Sequence, residues 1–480
     1  MCGILGLLDP HEPVSADLYR GALALQHRGQ DGAGLATFEN RFYYKSGLGL
    51  LPDVFRHEDL DAFRGRVGLA HLRYATSGAG AVEECQPFLL SFPFGLALVH
   101  NGNITNDQTL RQRLVERGHR LVNSSSDSDT VLHVLADALA QEDMGRLTVD
   151  GIMRATRRTM EQLEGAYSVI VVIANHGMLA FRDPRGIRPL IMGRRGEAVA
   201  IASESVALDV VSAAIERDVR PGEAIFVDLS GRLHHQQVAP ARPAHCAFEY
   251  VYLARPESVI DGRPVSEVRE CLGESLAAGF EAARETDVAF DVPSSAEDAA
   301  ISFSRAAGIP YRKGIRKNFY VQRSFIAANQ SLRSKTAGMK FHLERRVISD
   351  QRVAVIDDSI VRGTTARLLI ARLRRKGAKR INFFSAAPPV THPCVYGVDM
   401  AVRDDLLAAT MSQEQMARHL DVDYLQFQTI ADLAMAVGPE TTCRACFTGE
   451  YPTAIAPETL ARYGRARQLV HTAPLTTHKG

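Results

Sequence analysis

The stretch that most limits how this chain can fold begins at residue 352 and runs RVAVIDDSIVRGTTARLLIARLRRKGAKRINFF. An apolar strand ends in two aspartates, a short polar loop follows, and an amphipathic helix leads into a second apolar strand. Leu368, Leu369 and Leu373 mark the expected buried face of that helix, and Gly377 is its expected stop. A strand, a helical crossover and another strand make a unit of a parallel α/β sheet. The loop itself, DDSIVRGTT, carries chemistry. Asp357 and Asp358 can hydrogen-bond a vicinal diol, while Ser359, Gly363, Thr364 and Thr365 lie in a stretch that offers backbone N–H groups, hydroxyls and a helix N-terminus to a phosphate. The plainer alternative, a capped loop with acids near the helix dipole, leaves the pairing of two aspartates with a Gly-Thr-Thr turn unexplained.

At 480 residues the chain is too long for one ordinary core, so two domains are expected. Its 56 basic and 55 acidic side chains nearly cancel, which gives no support to nucleic-acid or membrane attraction. No apolar run approaches the roughly 20 residues that span a bilayer. Seven cysteines in so long a chain do not form a disulfide scaffold and fit a reducing, cytoplasmic setting. The clearest linker is QQVAPARPAHC, residues 236 to 246.

Before that linker, short apolar runs recur between turn residues: GILGLL, GLATF, FYYKSG, VGLAHLRY, GLALVHNG, YSVIVVIANHGMLAFR and AVAIASES. They predict packed antiparallel sheets, with helices at ADLYRGALALQHR and SDTVLHVLADALAQE. Several runs end in polar clusters, which hold Arg28 (QHRGQDGAG), Arg73 (HLRYATSG), Asn101 and Gly102 (HNGNITN) and Asp127 (SSSDSD). Singly, each reads as a surface arginine, an Asn-Gly turn or a helix cap. With Cys2 they make a set. A thiol whose own amine serves as base is an acyl-transfer nucleophile, Asn and Gly N–H groups suit its oxyanion, and an arginine with an aspartate suits an amino-acid substrate.

These five motifs resemble, in order, the N-terminal-nucleophile glutaminase domain of class II glutamine amidotransferases. The resemblance implies Cys2 as nucleophile, Asn101 and Gly102 as the oxyanion hole, Arg73 and Asp127 gripping glutamine, and Arg28, near the nucleophile, as a further glutamine-binding residue. Cys85 is read as packing. DDSIVRGTT resembles the phosphoribosyl diphosphate (PRPP) loop of type I phosphoribosyltransferases. The succession FEYVYLARPES, NFYVQRSFI, DDSIVRGTT, HPCVYGVD is similar to that of the amidophosphoribosyltransferases, up to about residue 455.

The fold so implied has two α/β domains. An αββα sandwich glutaminase covers residues 2–240, a parallel α/β phosphoribosyltransferase covers 247–455, and a tail follows over 456–480. The implied reaction is the first step of purine synthesis, making 5-phosphoribosylamine, glutamate and pyrophosphate from PRPP, glutamine and water. Mg²⁺ is implied as cofactor, Ser295, Arg323 and Lys340 as further PRPP contacts, purine nucleotides as inhibitors, and a homotetramer as the assembly.

Cys443 and Cys446 form a CxxC near the C-terminus. Cys246 and Cys394 are candidates to complete a four-thiolate site. Their contexts match relatives with a [4Fe–4S] cluster, and a four-cysteine zinc site is the alternative. Cys271, on a predicted helix, is read as core. Relatives with the cluster usually carry a propeptide before the nucleophile, whereas only Met1 precedes Cys2, so methionine removal is the expected maturation step. The family pattern also differs at Ser294 and Ala296, and at Gln322 and Gly338 in the flexible loop. Two alternatives therefore stay open: a divergent relative with a working glutaminase and an altered transferase, and a non-catalytic cluster-bearing sensor.

Overall fold

The computed structural model describes residues 2–74, 81–116, 124–281, 285–318, 341–400, 402–438, 441–456 and 458–460. The first half holds two antiparallel sheets. One has seven strands in the order Ala214–Asp218, Ile191–Arg195, Ala198–Ala202, Gly3–Leu8, Val67–Arg73, Gly32–Phe38, Phe42–Leu48. The other has six, in the order Leu233–Gln237, Glu223–Asp228, Gly177–Arg182, Gly165–Ile173, Leu96–Ile104, Phe88–Leu90.

Strand periodicity explains the layering. In Gly3–Leu8, Ile4 and Leu8 pack between the sheets with Val99, Ile170 and Ile225. Leu5 and Leu7 point the other way, onto Leu18 and Ala22 of the helix Ser15–Ala24 and Leu208 of Ser205–Val210. In Leu96–Ile104 the same alternation sends Leu96 and Leu98 toward the helices Asp127–Leu139 and Val149–Met160. Both sheets are covered on both faces, so most of their strands read as continuous apolar runs. The predicted αββα sandwich is observed.

The second half is built on a parallel sheet in the order Val288–Asp291, Arg352–Asp357, Arg380–Ser385, Tyr424–Phe427. The helices Val265–Ala278 and Glu297–Ala307 cover one face, with Leu272, Leu276 and Phe303 against Ala354, Ile356 and Phe384. Thr364–Arg375 and Gln413–Leu420 cover the other, with Leu369, Leu373 and Leu420 against Val353, Val355 and Phe383.

Three expectations need correction. On Thr364–Arg375 the buried face is Ala366, Leu369, Ile370 and Leu373. Leu368 is only half-buried, because 3.6-residue periodicity carries it off the stripe. Cys271 is exposed rather than core, since the stripe of its helix runs through Val265, Val268, Leu272 and Leu276. The linker begins inside an edge strand that ends at Gln237. Its later part is tied to the first half by Arg242 N–H to Pro184 O (2.7 Å) and Ala244 N–H to Arg185 O (2.7 Å).

Candidate active sites

Cys2 precedes the central strand Gly3–Leu8, flanked by Val67–Arg73, and Asn101 lies in the adjoining sheet on Leu96–Ile104. The Cys2 backbone N–H donates to Asn101 Oδ1 at 3.2 Å. That bond fixes the amide's orientation and leaves Nδ2 as its donor end. Asn101 Nδ2 is buried and has no hydrogen-bond partner among the described residues. A buried donor of this kind costs stability unless an acceptor occupies it. Gly102 is a glycine for reasons of space, because a Cβ there would lie 1.9 Å from Ala166 O. Asp127 opens the helix Asp127–Leu139 as its first residue; the cap itself is Ser126, which accepts the Ser128 N–H. Asp127 Oδ2 accepts the Ile104 N–H at 2.9 Å, which ties the carboxylate to the strand of Asn101. Arg73 ends its strand and donates to Glu84.

Arg28 is fully enclosed. Its Nε–H donates to Cys2 O at 3.0 Å, Nη2 to Glu249 Oε1 at 2.9 Å, and Nη1 to Glu249 Oε2 at 3.1 Å and to Glu204. It therefore holds the Cys2 backbone rather than facing outward. Burial disfavours its charge, yet Glu249 and Glu204 more than offset this and raise its pKa. Burial likewise opposes ionisation of Glu204, but His27 and Arg28 overcome it and hold the carboxyl well below its ordinary value. Glu249 lies on a π-helical turn, Glu249–Leu253, and also receives Arg188 Nη1 at 3.2 Å. The network thus joins the two halves. Cys85 is buried, and burial pushes its thiol up to about 11, as suits packing.

In the second half, Asp357 and Asp358 stand where the strand Arg352–Asp357 gives way to its loop, both buried. Asp358 accepts hydrogen bonds from Ser295 and from Ser359 Oγ (2.6 Å). Burial raises the pKa of both carboxyls, and the neighbouring Asp358 raises Asp357 further. A carboxylate pair held this way favours a cation or hydroxyl donors. Gly363 starts the following helix at φ +69°, and its missing Cβ avoids Leu407 Cδ2. Lys317 Nζ lies 3.5 Å from Ser294 Oγ. Arg323, Lys340, Gln322 and Gly338 fall outside the described residues.

One cavity of about 1300 Å³ is bordered by Arg28 and Tyr74 from the first half and by Ser294, Ser295 and the whole Asp357–Thr365 loop from the second. The segment CVYGVD closes it against the sandwich. Asn103 Nδ2 donates to Val395 O at 2.7 Å, Arg188 Nε to Tyr396 O at 2.8 Å, and Tyr74 Oη to Asp399 at 3.4 Å.

The four candidate cysteines converge behind this segment. Cys246 and Cys443 are direct neighbours across a parallel strand pair. The Cys446 carbonyl accepts the N–H groups of Thr391 and His392, each at 3.0 Å, two residues before Cys394. Burial raises the thiol pKa of Cys246 to about 11 and of Cys443 to about 12, with the neighbouring sulfurs adding to both; Cys446 is raised as well. Buried thiols that oppose one another's ionisation suit a group that supplies positive charge. Among the described residues, no three or more His, Cys, Asp or Glu are arranged to hold a single metal ion.

Sequence reasoning assigned no role to Glu204, Glu249, Arg188, Glu84, Asn103 or Asp399. The available signal was a charge inside an apolar run, as in IASES and FEYVYL.

The fold and the two sites define a glutamine amidotransferase sandwich joined to a phosphoribosyltransferase sheet. A model described as a glutamine amidotransferase domain matches residues 71–210. Amidophosphoribosyltransferases of Haemophilus influenzae and Methanothermobacter thermautotrophicus are each 41% identical; the alignments cover 97% of this chain with 96% and 97% of theirs. The solved B. subtilis glutamine PRPP amidotransferase, complexed with ADP and GMP, superposes with a TM-score of 0.86 at 35% identity, covering 95% of this chain and 98% of that one. The chain belongs to the amidophosphoribosyltransferase family.

Proposed function

We infer that this chain converts PRPP, glutamine and water into 5-phosphoribosylamine, glutamate and pyrophosphate, the glutamine-dependent first step of purine biosynthesis. The observation that carries this reading is the shared cavity, bordered both by Arg28 and Tyr74, which contact Cys2, and by the whole PRPP-type loop. The proposed division into residues 2–240 and 247–455 is supported by the change from the two antiparallel sheets to the parallel sheet.

Once Met1 is removed, the free Cys2 amine takes the thiol proton and the thiolate attacks the glutamine carboxamide carbon. Asn101 Nδ2 and the Gly102 N–H receive the developing oxyanion, while Arg73 and Asp127 hold the amino-acid end. Ammonia leaves, the thioester is hydrolysed to glutamate, and ammonia crosses the cavity. At the second site Asp357 and Asp358 orient the ribose hydroxyls. The Ser359–Thr365 loop holds the 5-phosphate through backbone N–H and hydroxyl groups. Ammonia then bonds to C1 as pyrophosphate departs. Asp357 and Asp358 would hold Mg²⁺, which would supply charge neutralisation to the leaving pyrophosphate. Ser295 braces Asp358, and Arg323 and Lys340 are proposed to meet pyrophosphate.

Cys246, Cys394, Cys443 and Cys446 are proposed to hold a structural [4Fe–4S] cluster, with zinc as the competing occupant. Purine nucleotides are proposed as inhibitors, since the B. subtilis relative was solved with ADP and GMP. A homotetramer and a cytoplasmic location complete the reading; no helix among the described residues is long and apolar enough to cross a membrane.

Purified without oxygen, the protein should release pyrophosphate from PRPP when given glutamine, and a Cys2→Ala variant should do so only with added ammonia. Glutamine hydrolysis with no pyrophosphate release would refute the transferase and favour the divergent relative.

A further inference from the structure

One buried carboxylate outside the groups assigned above bonds Arg73 and also the chain two residues before Asp127. Glu84 ends the short turn Val82–Glu84 and is only 4% exposed. Arg73 Nη2 donates to its Oε2 and Ser125 Oγ to its Oε1. Arg73 is the proposed grip on the substrate carboxylate. Ser125 lies two residues before Asp127, the proposed grip on the ammonium.

The turn that carries Glu84 is pinned on its far side as well. Gln86 Oε1 accepts the N–H of His100, the residue before Asn101, at 2.6 Å, and Gln86 Nε2 donates to Oγ of Ser128, beside Asp127, at 2.9 Å. Arg73 is itself 5% exposed, and Glu84 is the buried carboxylate it pairs with. A guanidinium is a planar fork with a fixed set of donor directions. Anchoring one edge on Glu84 fixes where the remaining donors point.

We propose that Glu84 is a positioning residue that sets the spacing between Arg73 and Asp127, and so selects ligands with a carboxylate and an ammonium on one carbon. This rests on the reading of Arg73 and Asp127 as the glutamine grips. The Oε1 contact makes Ser125, and with it the start of the Asp127 helix, part of the same template. The ligand class it favours is a free α-amino acid over its α-amide or ester.

The test uses Glu84→Gln in the full chain, with Ser125→Ala and Arg73→Met beside it. Hydrolysis of glutamine and of its α-carboxamide is measured, together with ammonia-dependent pyrophosphate release. Glu84→Gln should raise the KM for glutamine roughly tenfold or more, as expected for loss of a charge-assisted bond. It should leave kcat and ammonia-dependent release within about twofold. The preference for glutamine over the α-carboxamide should shrink by a similar factor, which a merely structural role would not produce. Ser125→Ala should shift KM in the same direction by less. If Glu84→Gln also loses ammonia-dependent release, Ser125→Ala decides, and an unchanged KM there overturns the proposal. An equal loss toward both substrates also overturns it. If Arg73→Met abolishes the preference while Glu84→Gln retains it, the Glu84 role alone falls. If Arg73→Met retains the preference, the grip assignment falls too.

Discussion

Replacing Arg28 with methionine tests the network that joins the halves. The Arg28 and Glu204 side chains are 0% exposed and that of Glu249 is 1% exposed, so solvent cannot take over the lost charge. Removing one partner of a buried ion pair costs about 3–5 kcal/mol, because it leaves a buried charge uncompensated. Here the remaining partners are good. Glu204 keeps His27 Nε2 at 2.9 Å, the Arg255 N–H at 3.0 Å and Ser258 Oγ at 2.7 Å, and Glu249 keeps Arg188. The loss should therefore fall near the lower bound, about 3 kcal/mol, or roughly 6–12 °C in thermal midpoint for a domain of this size. Urea and thermal unfolding of both proteins give the number.

The pH dependence has a defined sign. The Glu204 carboxyl is held below its ordinary 4.5 in the folded protein. Its stabilising contribution is complete above that value and is lost as pH falls toward the folded-state pKa. The gap between wild type and Arg28→Met should thus narrow below about pH 4.5. Because Arg28 also holds Cys2 O, the variant should lose glutamine-dependent turnover more than ammonia-dependent turnover. A loss under about 1 kcal/mol, or a gap that widens in acid, would refute the reasoning.

Further outcomes follow from the same structure. Asn101→Ala should lower kcat for glutamate release by about 10²–10³-fold, the usual worth of one oxyanion donor, with ammonia-dependent pyrophosphate release unchanged. Asp357→Asn should abolish pyrophosphate release while leaving a folded protein. Burial raises the Asp357 pKa, so without ligand the wild type loses stability as pH climbs from the unfolded-state pKa through the folded-state value. The variant's thermal midpoint between pH 5 and 8 should therefore equal or exceed that of wild type. Anaerobic protein should contain iron and acid-labile sulfide, both absent from Cys443→Ala; zinc alone would refute the cluster.

The linear sequence carried everything local in range. The alternation in GILGLL and GLALVHNG specified strands, the strand-loop-helix order around DDSIVRGTT specified a parallel unit, and Cys2, Asn101, Asp127 and Asp357 stood out as candidates because they sit in short motifs. It also misplaced Cys271 and Leu368, since a helix can be phased from sequence only to within a residue or so, and the packing partner sets which side is buried.

What the tertiary structure alone decided is how distant charges are spent. Arg28 and Glu249 are 221 positions apart and within hydrogen-bond reach. Arg73 and Ser125 meet on one carboxylate, and Cys246 and Cys443 become neighbours across a strand pair. No periodicity encodes such meetings. They arise because buried polar groups must find partners wherever packed sheets and helices bring them within reach, inside one half for Arg73 and Ser125, and between the halves for Arg28 and Glu249.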